Sequence, residues 1–566
     1  MTGAIEGLMQ DDFPLTLHHI LRRLRYSDPR AEVVTLGEGG ARTRMTFAES
    51  AERIDRLARV LTTRLGVRQG DRVGTFAWNN QRHFELYFAI PCVGAVLHTL
   101  NIRLFEEQLT YIANHAEDQV IFVDASLVPL LEKLAPSFET VRHYVVMGDP
   151  AHPGEHGSLP NALSYEELLE EAGPGGYDYP DVNERQAAAL CYTSGTTGNP
   201  KGVLYSHRSI SLHSSATLMR DAVGLSRADR VLAVVPMFHA NAWGLPHGAA
   251  LAGADLILPD RFLQAEPLAQ LIAAERPTLM GCVPTIFADL LRYADEHPEI
   301  DLSSLSNAAC GGSAVPRQLM RDFQERHGVR IFQAWGMTET SPVATYSRPD
   351  ERGEHDDAYW DDRARQGRAM PWVELRLIGD GGVEVPWDGQ STGEIEVRGP
   401  WIAARYFHGD QDDEKFDAGW LRTGDIASLD ERGYVQITDR SKDVIKSGGE
   451  WISSVELENE VMAHPDVIEA AVIARPDERW AERPLCCVVL REGSTVNTTE
   501  LTEHLSGRVA KWWIPEEFAF VDEVPKTSVG KFDKKVLRAR LADGSLEGRV
   551  RVSSGGGREG GQTTSR

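Results

Sequence analysis

The sequence contains few cysteines, and none of them is spaced like a metal ligand or a redox pair. Six cysteines are distributed over 566 residues, without a CxxC pair or a Cys/His cluster. This pattern excludes a disulfide framework and a zinc module as the basis of the fold. Cys486 and Cys487 are adjacent in the apolar run PLCCVVL, which is typical of a buried strand in a protein from a reducing compartment.

Long apolar runs and an excess of basic residues are also missing. No apolar run reaches the roughly eighteen residues that a transmembrane helix needs. The first residues, MTGAIEGLMQDDFPL, lack a basic segment followed by an apolar core, so we expect no secretory signal and a cytoplasmic protein. The formal net charge of −25 disfavours nucleic-acid binding, because neutralising phosphates requires a basic surface. An anionic ligand must therefore be bound by local donors.

A chain of this length is too long for one hydrophobic core, so we expect more than one domain. Residues 43–146 and 187–345 alternate strand-like and helix-like segments, which predicts largely parallel sheets covered by helices on both faces. The capping box Thr46–Glu49 predicts the start of one of these helices. Residues 83–100 are predicted to contain a single helix, and the Gly/Pro-rich residues 149–184 are predicted to form a surface connection.

The pattern changes in the second half of the chain. Residues 373–440 alternate apolar and polar positions between Gly-rich turns, which predicts small antiparallel sheets or a barrel. A compact α+β pattern follows, and the last residues are Gly/Ser-rich without apolar content. We therefore predict an α/β protein that consists of a large N-terminal domain with a small β-barrel-like subdomain (1–440), a small α+β C-terminal domain (441–545) and a disordered tail (546–566).

The most informative segment is the run Thr193-Ser-Gly-Thr-Thr-Gly-Asn-Pro-Lys-Gly202. Glycines let backbone N–H groups approach phosphate oxygens, hydroxyl groups add donors, and Lys201 supplies positive charge. The run does not match the GxxxxGK[ST] pattern of P-loops, because Pro200 precedes the lysine and Gly202 follows it. In isolation it fits a plain turn as well as it fits a phosphate loop.

The longer string YTSGTTGNPKG resembles the phosphate-loop signature of the adenylate-forming superfamily, which includes acyl-CoA synthetases, nonribosomal peptide adenylation domains and beetle luciferases. Further segments follow in the order of that family: PMFHANAW (236–243), GGSAVP (311–316), WGMTET (335–340), LRTGD (421–425), DRSKDVIKSGGEWIS (439–453) and PKTSVGK (525–531). The resemblance extends over about residues 15–540 and is closest to bacterial medium- and long-chain fatty acyl-CoA synthetases. It implies that ATP activates a carboxylic acid as an acyl-adenylate, from which coenzyme A takes the acyl group.

For the nucleotide, the resemblance implies residues from several of these motifs. Trp335 would stack on adenine, Thr338 would bind the α-phosphate, and Asp425 would bind both ribose hydroxyls. Glu339, together with Thr193, would hold the Mg²⁺ ion that bridges the phosphates. Without the motifs, Glu339 would be a surface carboxylate and Asp425 a turn residue. The full set of implied nucleotide-binding residues is Ser194, Gly195, Thr196, Thr197, Gly198, Lys201, Gly311, Gly312, Ser313, Trp335, Gly336, Met337, Thr338, Asp425 and Arg440.

The resemblance also implies that the C-terminal domain is a mobile lid with two working faces. Lys531 would reach the carboxylate and the α-phosphate while the acyl-adenylate forms, because a positive charge between two anions offsets their repulsion. The lid would then turn about Lys442 as a hinge. The turn would replace Lys531 with a loop that admits coenzyme A, formed by Lys446, Gly448, Gly449, Glu450 and Trp451.

The acid itself is indicated by the HANAW stretch, which resembles fatty acyl-CoA synthetases whose tryptophan gates a hydrophobic tunnel. His239 would lie beside the acyl carbonyl, and Trp243 with Gly281, Val283 and Pro284 would line the acyl pocket. Each methylene buried in such a pocket contributes about 0.8 kcal/mol. We therefore expect a medium-to-long aliphatic acid. Relatives with the same stretch also take methylthio-propionate, short acids or aryl acids, so these remain alternatives.

Three other functions share parts of this pattern. An amide-forming or carrier-protein-loading enzyme would keep adenylation and change the acceptor, and the coenzyme A residues around Lys446 disfavour it. A luciferase-like oxygenase would share the fold. A binding protein without catalysis is disfavoured because Glu339, Asp425 and Lys531 are all present. Beyond small-molecule substrates, the resemblance implies a homodimer.

The implied hinge gives a first prediction. Lys442→Pro should leave acyl-adenylate formation intact and strongly reduce thioester formation, because proline restricts the backbone turn on which the second half-reaction depends. The two steps are measured separately, by ATP–pyrophosphate exchange and by CoA-dependent AMP release. An equal loss in both assays would show that the hinge is assigned to the wrong residue.

Overall fold

A computed structural model describes residues 10, 12–148, 157–193, 199–349, 355–409, 415–440, 443, 445–447, 450–477, 479–526, 532–546 and 549–552. Four β-sheets organise this part of the chain. Two of them are mainly parallel, one is antiparallel, and the fourth belongs to the C-terminal region. None of the helices described here is both long and apolar enough to cross a membrane.

The helices lie between the strands in chain order. They are α1 (Leu17–Tyr26), α2 (Phe47–Arg59), α3 (Gln81–Cys92), α4 (Glu106–Ala116), α5 (Val128–Leu134), α6 (Tyr165–Ala172), α7 (His207–Thr217), α8 (Leu245–Ala252), α9 (Ala265–Glu275), α10 (Pro284–Glu296), α11 (Arg317–His327), α12 (Asp357–Ala364), α13 (Ser454–Met462), α14 (Thr498–Leu505) and α15 (Lys534–Ala542).

The strands fall into the four sheets. They are β1 (Glu32–Leu36), β2 (Arg42–Thr46), β3 (Arg72–Phe76), β4 (Val96–Thr99), β5 (Asp118–Asp124), β6 (His143–Met147), β7 (Ala162–Ser164), β8 (Ala187–Tyr192), β9 (Gly202–Ser206), β10 (Arg230–Ala233), β11 (Asp255–Leu258), β12 (Leu279–Cys282), β13 (Asn307–Gly311), β14 (Arg330–Gly336), β15 (Val343–Tyr346), β16 (Arg368–Ala369), β17 (Glu374–Ile378), β18 (Thr392–Arg398), β19 (Phe416–Asp417), β20 (Trp420–Leu429), β21 (Val435–Arg440), β22 (Ile445–Ser447), β23 (Glu450–Ile452), β24 (Val467–Asp477), β25 (Ala481–Leu490), β26 (Glu517–Phe520) and β27 (Val550–Val552).

The first sheet has the order β7-β6-β5-β3-β4-β8-β9 and is parallel except for the pairing of β8 with β9. Its strands bury side chains on both faces. In β5, Val120 and Phe122 belong to one hydrophobic cluster, whereas Ile121 and Val123 belong to another that contains residues of α4 and α5. A continuous apolar strand covered on both sides is typical of parallel sheets, and the α/β prediction is confirmed.

The second sheet has the order β16-β15-β14-β13-β12-β10-β11-β1-β2. Strands β1 and β10 to β14 pair in parallel, and the antiparallel pairings lie towards the two edges. The predicted capping box is present at α2, where the Glu49 N–H donates to Thr46 Oγ1 at 3.2 Å and the Thr46 N–H donates to the Glu49 carboxylate at 2.7 Å. The described residues up to Ala369 therefore form two adjoining α/β layers.

Two sequence-based predictions need correction. Residues 83–100 do not form one helix, because α3 ends at Cys92 and β4 follows after Gly94, whose φ of 85° places it in the left-handed region. The segment 149–184 is not only a connection, because it contains β7 and α6. Helix α6 buries Tyr165, Leu168 and Leu169. This short apolar face was not predicted, because the segment around it is rich in Gly and Pro.

The third sheet, β17 to β21, is antiparallel throughout, as the alternating pattern predicted. The fourth contains β22 to β27 and packs with α13, α14 and α15 around its own apolar clusters. Adjacent cysteines in β25 point to opposite sides, Cys486 into one cluster and Cys487 into the other. The segment predicted as a tail begins with structure, because Val550–Val552 forms β27 and pairs with β26.

The two parallel sheets meet at Asn79, which follows β3 in the first sheet. Its side-chain amide donates to the carbonyl oxygens of Ala233 and Val235, both at 2.8 Å, and its Oδ1 accepts the N–H of Met237 at 2.7 Å. Those three residues lie at the end of β10 and just beyond it, in the second sheet. Because Asn79 is only 2% exposed, water cannot replace these bonds, and the side chain joins the two layers.

The hydrogen bonds of Asn79 between the two sheets lead to a prediction about stability. Asn79→Ala should lower the free energy of unfolding by about 3 kcal/mol, because three buried polar groups lose their partner. Urea denaturation followed by tryptophan fluorescence measures the change. Gln270→Ala is the control, since it removes an amide on the exposed side of α9 and should change stability by less than about 0.5 kcal/mol. Equal midpoints for both variants would contradict the role of Asn79.

Candidate active site

A cavity of about 770 Å³ lies where strands of the second sheet end and the third sheet and the C-terminal region approach them. The carboxyl ends of parallel strands are where open α/β sheets bind ligands. The cavity brings together most of the described residues that the sequence singled out: Thr193, Lys201, His239, Trp243, Val283, Pro284, Gly311, Gly312, Ser313, Trp335, Gly336, Met337, Thr338, Glu339 and Asp425.

Other predicted residues lie outside the described part of the chain: Ser194, Gly195, Thr196, Thr197, Gly198, Lys442, Gly448, Gly449 and Lys531. For Arg440, Lys446, Glu450 and Trp451 the backbone is described and the side chains are not. The roles implied for all of them stay predictions.

The two ends of the predicted phosphate loop, Thr193 and Lys201, are hydrogen-bonded to each other. The Thr193 N–H donates to the carbonyl oxygen of Lys201 at 3.0 Å, and the Lys201 N–H donates to Thr193 Oγ1 at 3.1 Å. The Lys201 ammonium lies 4.9 Å from the ring centre of Tyr406, a distance suited to a cation–π interaction. The chain thus enters and leaves the loop at one point, with a positive charge beside the cavity.

Trp335 and Asp425 lie in different sheets and form a hydrogen bond with each other. The indole Nε1–H of Trp335 donates to Asp425 Oδ2 at 2.9 Å, and each residue is 8% exposed. In the third sheet, Asp425 on β20 pairs with Arg440 on β21. The two positions predicted to bind the ribose are therefore directly opposite each other in the backbone register of these strands.

Glu339 is buried and accepts hydrogen bonds at both its side-chain carboxylate and its backbone carbonyl. The Tyr406 hydroxyl donates to Glu339 Oε1 at 2.6 Å, and the Ala403 N–H donates to the Glu339 carbonyl oxygen at 2.8 Å. The neighbouring Thr338 carbonyl accepts a bond of 2.7 Å from the hydroxyl of Tyr205. Burial raises the pKa of Tyr205, and Cys191 and Glu339 raise it further, so this phenol keeps its proton and remains a donor.

The donor set fits a magnesium ion only in part. The Glu339 carboxylate is a hard oxygen ligand at the cavity wall, and Mg²⁺ is commonly held by one or two carboxylates together with substrate phosphates. Among the residues that the structure describes, no group of three or more His, Cys, Asp or Glu side chains could hold a metal by itself. A magnesium ion here would therefore need the phosphates as ligands.

The acyl side is shaped by a left-handed segment. Ala240, Asn241, Ala242 and Trp243 have φ values of 42°, 50°, 50° and 57°, and Gly244 follows at 75°. Left-handed backbone costs about 1–2 kcal/mol per non-glycine residue, so the surrounding structure must hold this segment in place. The segment carries Trp243 into the cavity wall.

Glycine is required where Trp243 meets the second sheet. A Cβ on Gly311 would lie 3.3 Å from Cη2 of Trp243 and 2.7 Å from the Ala334 carbonyl oxygen. The walls nearby are largely apolar, with Val235, Pro236, Val283, Pro284 and Leu319. Gly281, predicted to line the pocket, is not among the lining residues. A Cβ there would lie 2.4 Å from Leu245 Cδ1, so this glycine makes room for Leu245.

Several residues that line the cavity or donate a hydrogen bond to one of its lining residues were missed by the sequence-based prediction. Tyr406 and Tyr205 act through single hydroxyl groups and stand outside every motif that was used. Lys534 lines the C-terminal side and forms an ion pair with Glu458 at 2.7 Å. Lys534 lies three residues after the predicted catalytic Lys531. Its partner Glu458 is too distant in sequence for a local sequence pattern to predict the ion pair.

The fold and the site define a nucleotide-binding α/β enzyme with a C-terminal unit at the mouth of its cavity. A family model described as AMP-binding enzyme matches residues 23–407, and one described as AMP-binding enzyme C-terminal domain matches residues 456–531. The chain belongs to the AMP-binding enzyme family.

Curated relatives and solved structures agree with this membership. The chain is 44% identical to a 3-methylmercaptopropionyl-CoA ligase of Ruegeria lacuscaerulensis (94% of this chain, 98% of the relative). It is 43% identical to a medium-chain-fatty-acid–CoA ligase of Ectopseudomonas oleovorans (92% and 94%) and 44% identical to a long-chain-fatty-acid–CoA ligase of Thermus thermophilus (95% and 97%). The crystal structure of an anthranilate CoA ligase in complex with anthranoyl-AMP matches with a TM-score of 0.85 and 27% identity, covering 95% of this chain and all of that one.

The hydrogen bond from the Tyr406 hydroxyl to Glu339 leads to a prediction about ATP kinetics. Tyr406→Phe should lower kcat/KM for ATP by about tenfold, because the variant keeps the ring beside Lys201 but loses a charge-assisted hydrogen bond to a buried carboxylate. Steady-state kinetics with ATP as the varied substrate provides the measurement. Tyr177→Phe is the matched control, since that hydroxyl donates to Thr62, and neither residue lines the cavity. Unchanged ATP kinetics in Tyr406→Phe would show that the hydroxyl does not orient Glu339.

Proposed function

We propose that this protein is an AMP-forming acyl-CoA ligase. It would convert a carboxylic acid and ATP into acyl-AMP and pyrophosphate, and then acyl-AMP and coenzyme A into acyl-CoA and AMP. One observation carries the proposal: the same cavity is lined by the predicted nucleotide residues and by apolar residues that could hold an acyl group. The relatives that span nearly the whole chain are CoA ligases by name.

In the first step, an oxygen of the substrate carboxylate attacks the α-phosphorus of ATP, and pyrophosphate leaves with the electrons of the broken P–O bond. No general base is needed, because the carboxylate is already the nucleophile. The step requires positive charge, since two anions must approach each other. We assign this charge to Lys201, which lines the cavity, and to Lys531.

We further propose that Mg²⁺ assists this step, held by Glu339 with a contribution from Thr193. Both residues line the cavity, and a bound magnesium ion would supply charge neutralisation for the phosphates. Thr338 and His239 line the same cavity and would contact the α-phosphate and the acyl carbonyl. Tyr406 and Ala403 hold Glu339 in place at the cavity wall, which supports this role.

In the second step, the sulfur of coenzyme A attacks the acyl carbonyl, AMP leaves, and the thiol proton passes to solvent. We propose that the C-terminal domain (441–545) turns about Lys442 for this step and presents Lys446, Gly448, Gly449, Glu450 and Trp451 to the pantetheine arm. The separate apolar clusters of the C-terminal region support its movement as a unit. The presence of these residues favours coenzyme A over an amine or a carrier protein as acceptor.

The substrate that we favour is a medium-to-long aliphatic acid. Apolar walls reward each buried methylene by about 0.8 kcal/mol, and two of the relatives are named for medium- and long-chain acids. A methylthio-substituted short acid is the second candidate, because an equally similar relative is named for 3-methylmercaptopropionate. A cytoplasmic location and a homodimer complete the proposal.

Purified protein assayed with a panel of C2 to C18 acids, 3-(methylthio)propanoate and aryl acids tests this proposal. AMP release that depends on ATP, acid and coenzyme A together is expected, with the rate highest for a medium or long chain. Removing divalent metal with EDTA should abolish turnover, and added Mg²⁺ should restore it. The Lys531→Ala variant should lose acyl-adenylate formation by about 100-fold or more.

Each result decides one part of the proposal. A maximum at 3-(methylthio)propanoate would replace the fatty acid assignment with the second candidate. Pyrophosphate exchange without CoA-dependent AMP release would indicate a different acceptor. A protein that neither binds ATP nor loses activity in Lys531→Ala would contradict the adenylation mechanism itself.

A further inference from the structure

The segment that is predicted to carry the catalytic lysine begins and ends in the described part of the C-terminal region. Lys526 leads into it, and Phe532 follows Lys531 directly. Lys526 and Phe532 form an antiparallel β-bridge, and the Asp533 N–H donates to the carbonyl oxygen of Pro525 at 2.7 Å. Consecutive Cα atoms are about 3.8 Å apart, so the position of Phe532 limits the positions that Lys531 can occupy.

Glu469 connects the start of this segment to strand β24. Its Oε1 lies 2.5 Å from the Lys526 ammonium, and its Oε2 accepts the N–H of Val524 at 3.4 Å. The Glu469 side chain is 15% exposed and lines the cavity. One carboxylate therefore holds two residues of the chain just before the predicted catalytic segment.

An irregularity in β24 turns Glu469 towards these partners. The pairing register of β24 with β25 shifts between Val467 and Glu469, and bulges of this kind redirect side chains beside functional sites. Val467 belongs to one apolar cluster of the C-terminal region. Ala471 belongs to the other cluster, which contains Val524 and against which Phe532 packs. Because residues two apart on a strand share a face, Glu469 lies on the side of Ala471, where both ends of the segment are held.

The ion pair also offsets the charge of Glu469. Like charges repel each other, so a lone carboxylate on the cavity wall would oppose the binding of ATP. The Lys526 ammonium lies close enough to compensate this charge. The pair can therefore hold the segment without adding net negative charge to the cavity.

We propose that Glu469 is a positioning residue that holds the start of the Lys531 segment against β24, so that Lys531 meets the carboxylate and the α-phosphate during adenylation. In this proposal the pair of Glu469 and Lys526 acts through Lys531 and contacts neither substrate. The inference rests on the proposed function, because it assumes that Lys531 acts in adenylation alone. A catalytic group that is misplaced by about 1 Å can cost about 100-fold in rate, so a loosened anchor is expected to cost about tenfold.

Variants of the ion pair distinguish an anchor from a direct role of Lys526 on the substrates. Glu469→Gln should lower the kcat of ATP–pyrophosphate exchange about tenfold, with the KM for ATP changed less than twofold, when the acid that the panel ranks first is used. Lys526→Met should lower kcat equally and also raise the KM for ATP, because the Glu469 charge is then uncompensated. The double variant should match Glu469→Gln, and Lys526→Arg should keep at least about half of the wild-type rate.

A direct role of Lys526 gives a different pattern. Glu469→Gln would then release Lys526 and leave the rate of ATP–pyrophosphate exchange unchanged, whereas Lys526→Met would lower it. That pattern would overturn the proposal.

The two half-reactions separate the anchor from a general loss of structure. Thioester formation from synthetic acyl-AMP and coenzyme A should stay within about twofold of the wild type in Glu469→Gln, because the proposed function uses Lys531 in the first step only. Adding Glu469→Gln to Lys531→Ala should lower adenylation no further. Equal losses in both half-reactions, or additive losses in the double variant, would overturn the proposal.

Glu517→Gln is the matched control. It breaks an ion pair of 2.9 Å between Arg475 on β24 and Glu517 on β26, and neither residue lines the cavity. Both half-reactions should stay within about twofold of the wild type, as expected for a pair at the surface. A loss of adenylation as large as that in Glu469→Gln would show that any weakening of β24 has this effect, and would overturn the proposal.

Amide hydrogen exchange of the full-length protein tests the anchor without relying on activity. In Glu469→Ala, the amides of Val524 and Asp533 should exchange about tenfold faster than in the wild type, whereas Glu517→Gln should leave them unchanged. Equal protection in Glu469→Ala and the wild type would overturn the proposal. A wild-type protein without ATP–pyrophosphate exchange, or full activity in Lys531→Ala, would instead contradict the proposed function, and the amide exchange would then decide on the anchor alone.

Discussion

The hydrogen bond from the Trp335 indole to the Asp425 carboxylate joins the two parts of the structure between which the cavity forms. Trp335 lies near the end of β14 in the mainly parallel second sheet, and Asp425 lies in the antiparallel third sheet. Together with the bonds from Tyr406 and Ala403 to Glu339, this hydrogen bond fixes the turn that carries Glu339 relative to the strand that carries Asp425. Because both residues are nearly buried, the bond forms away from competing water and defines the distance between the two sheets at the nucleotide side.

The chain has a net charge of −25, so an anionic nucleotide must be bound by donors and cations that are placed locally in the cavity. Positive charge at the described part of the cavity comes from single side chains held in specific positions, such as Lys201 on the ring of Tyr406 and Lys534 beside Glu458. Uncharged donors are present as well, among them the hydroxyl groups of Thr193, Ser313 and Thr338. Selective binding of phosphate therefore does not require a basic surface, provided that the donors converge in one place.

Features set by local sequence were predictable, and features set by distant contacts were not. The capping box at Thr46 and the antiparallel pattern of 373–440 follow from residues a few positions apart. The break at Gly94 was missed because the apolar run continues on both sides of it. Tyr406 was missed because its partner, Glu339, is 67 residues away. The cavity residues found in advance came from motif resemblance, which carries information on distant contacts that periodicity lacks.

All six cysteines of the chain are buried and reduced. Burial raises the pKa of Cys191 to about 11 and that of Cys487 to about 12, so the reactive thiolate form is scarce at neutral pH. An enzyme that generates activated acyl groups next to a thiol substrate faces a chemical hazard, because any accessible thiolate of its own would compete for the acyl group. With its sulfur atoms enclosed, the protein is protected from acylating itself and from forming mixed disulfides with coenzyme A.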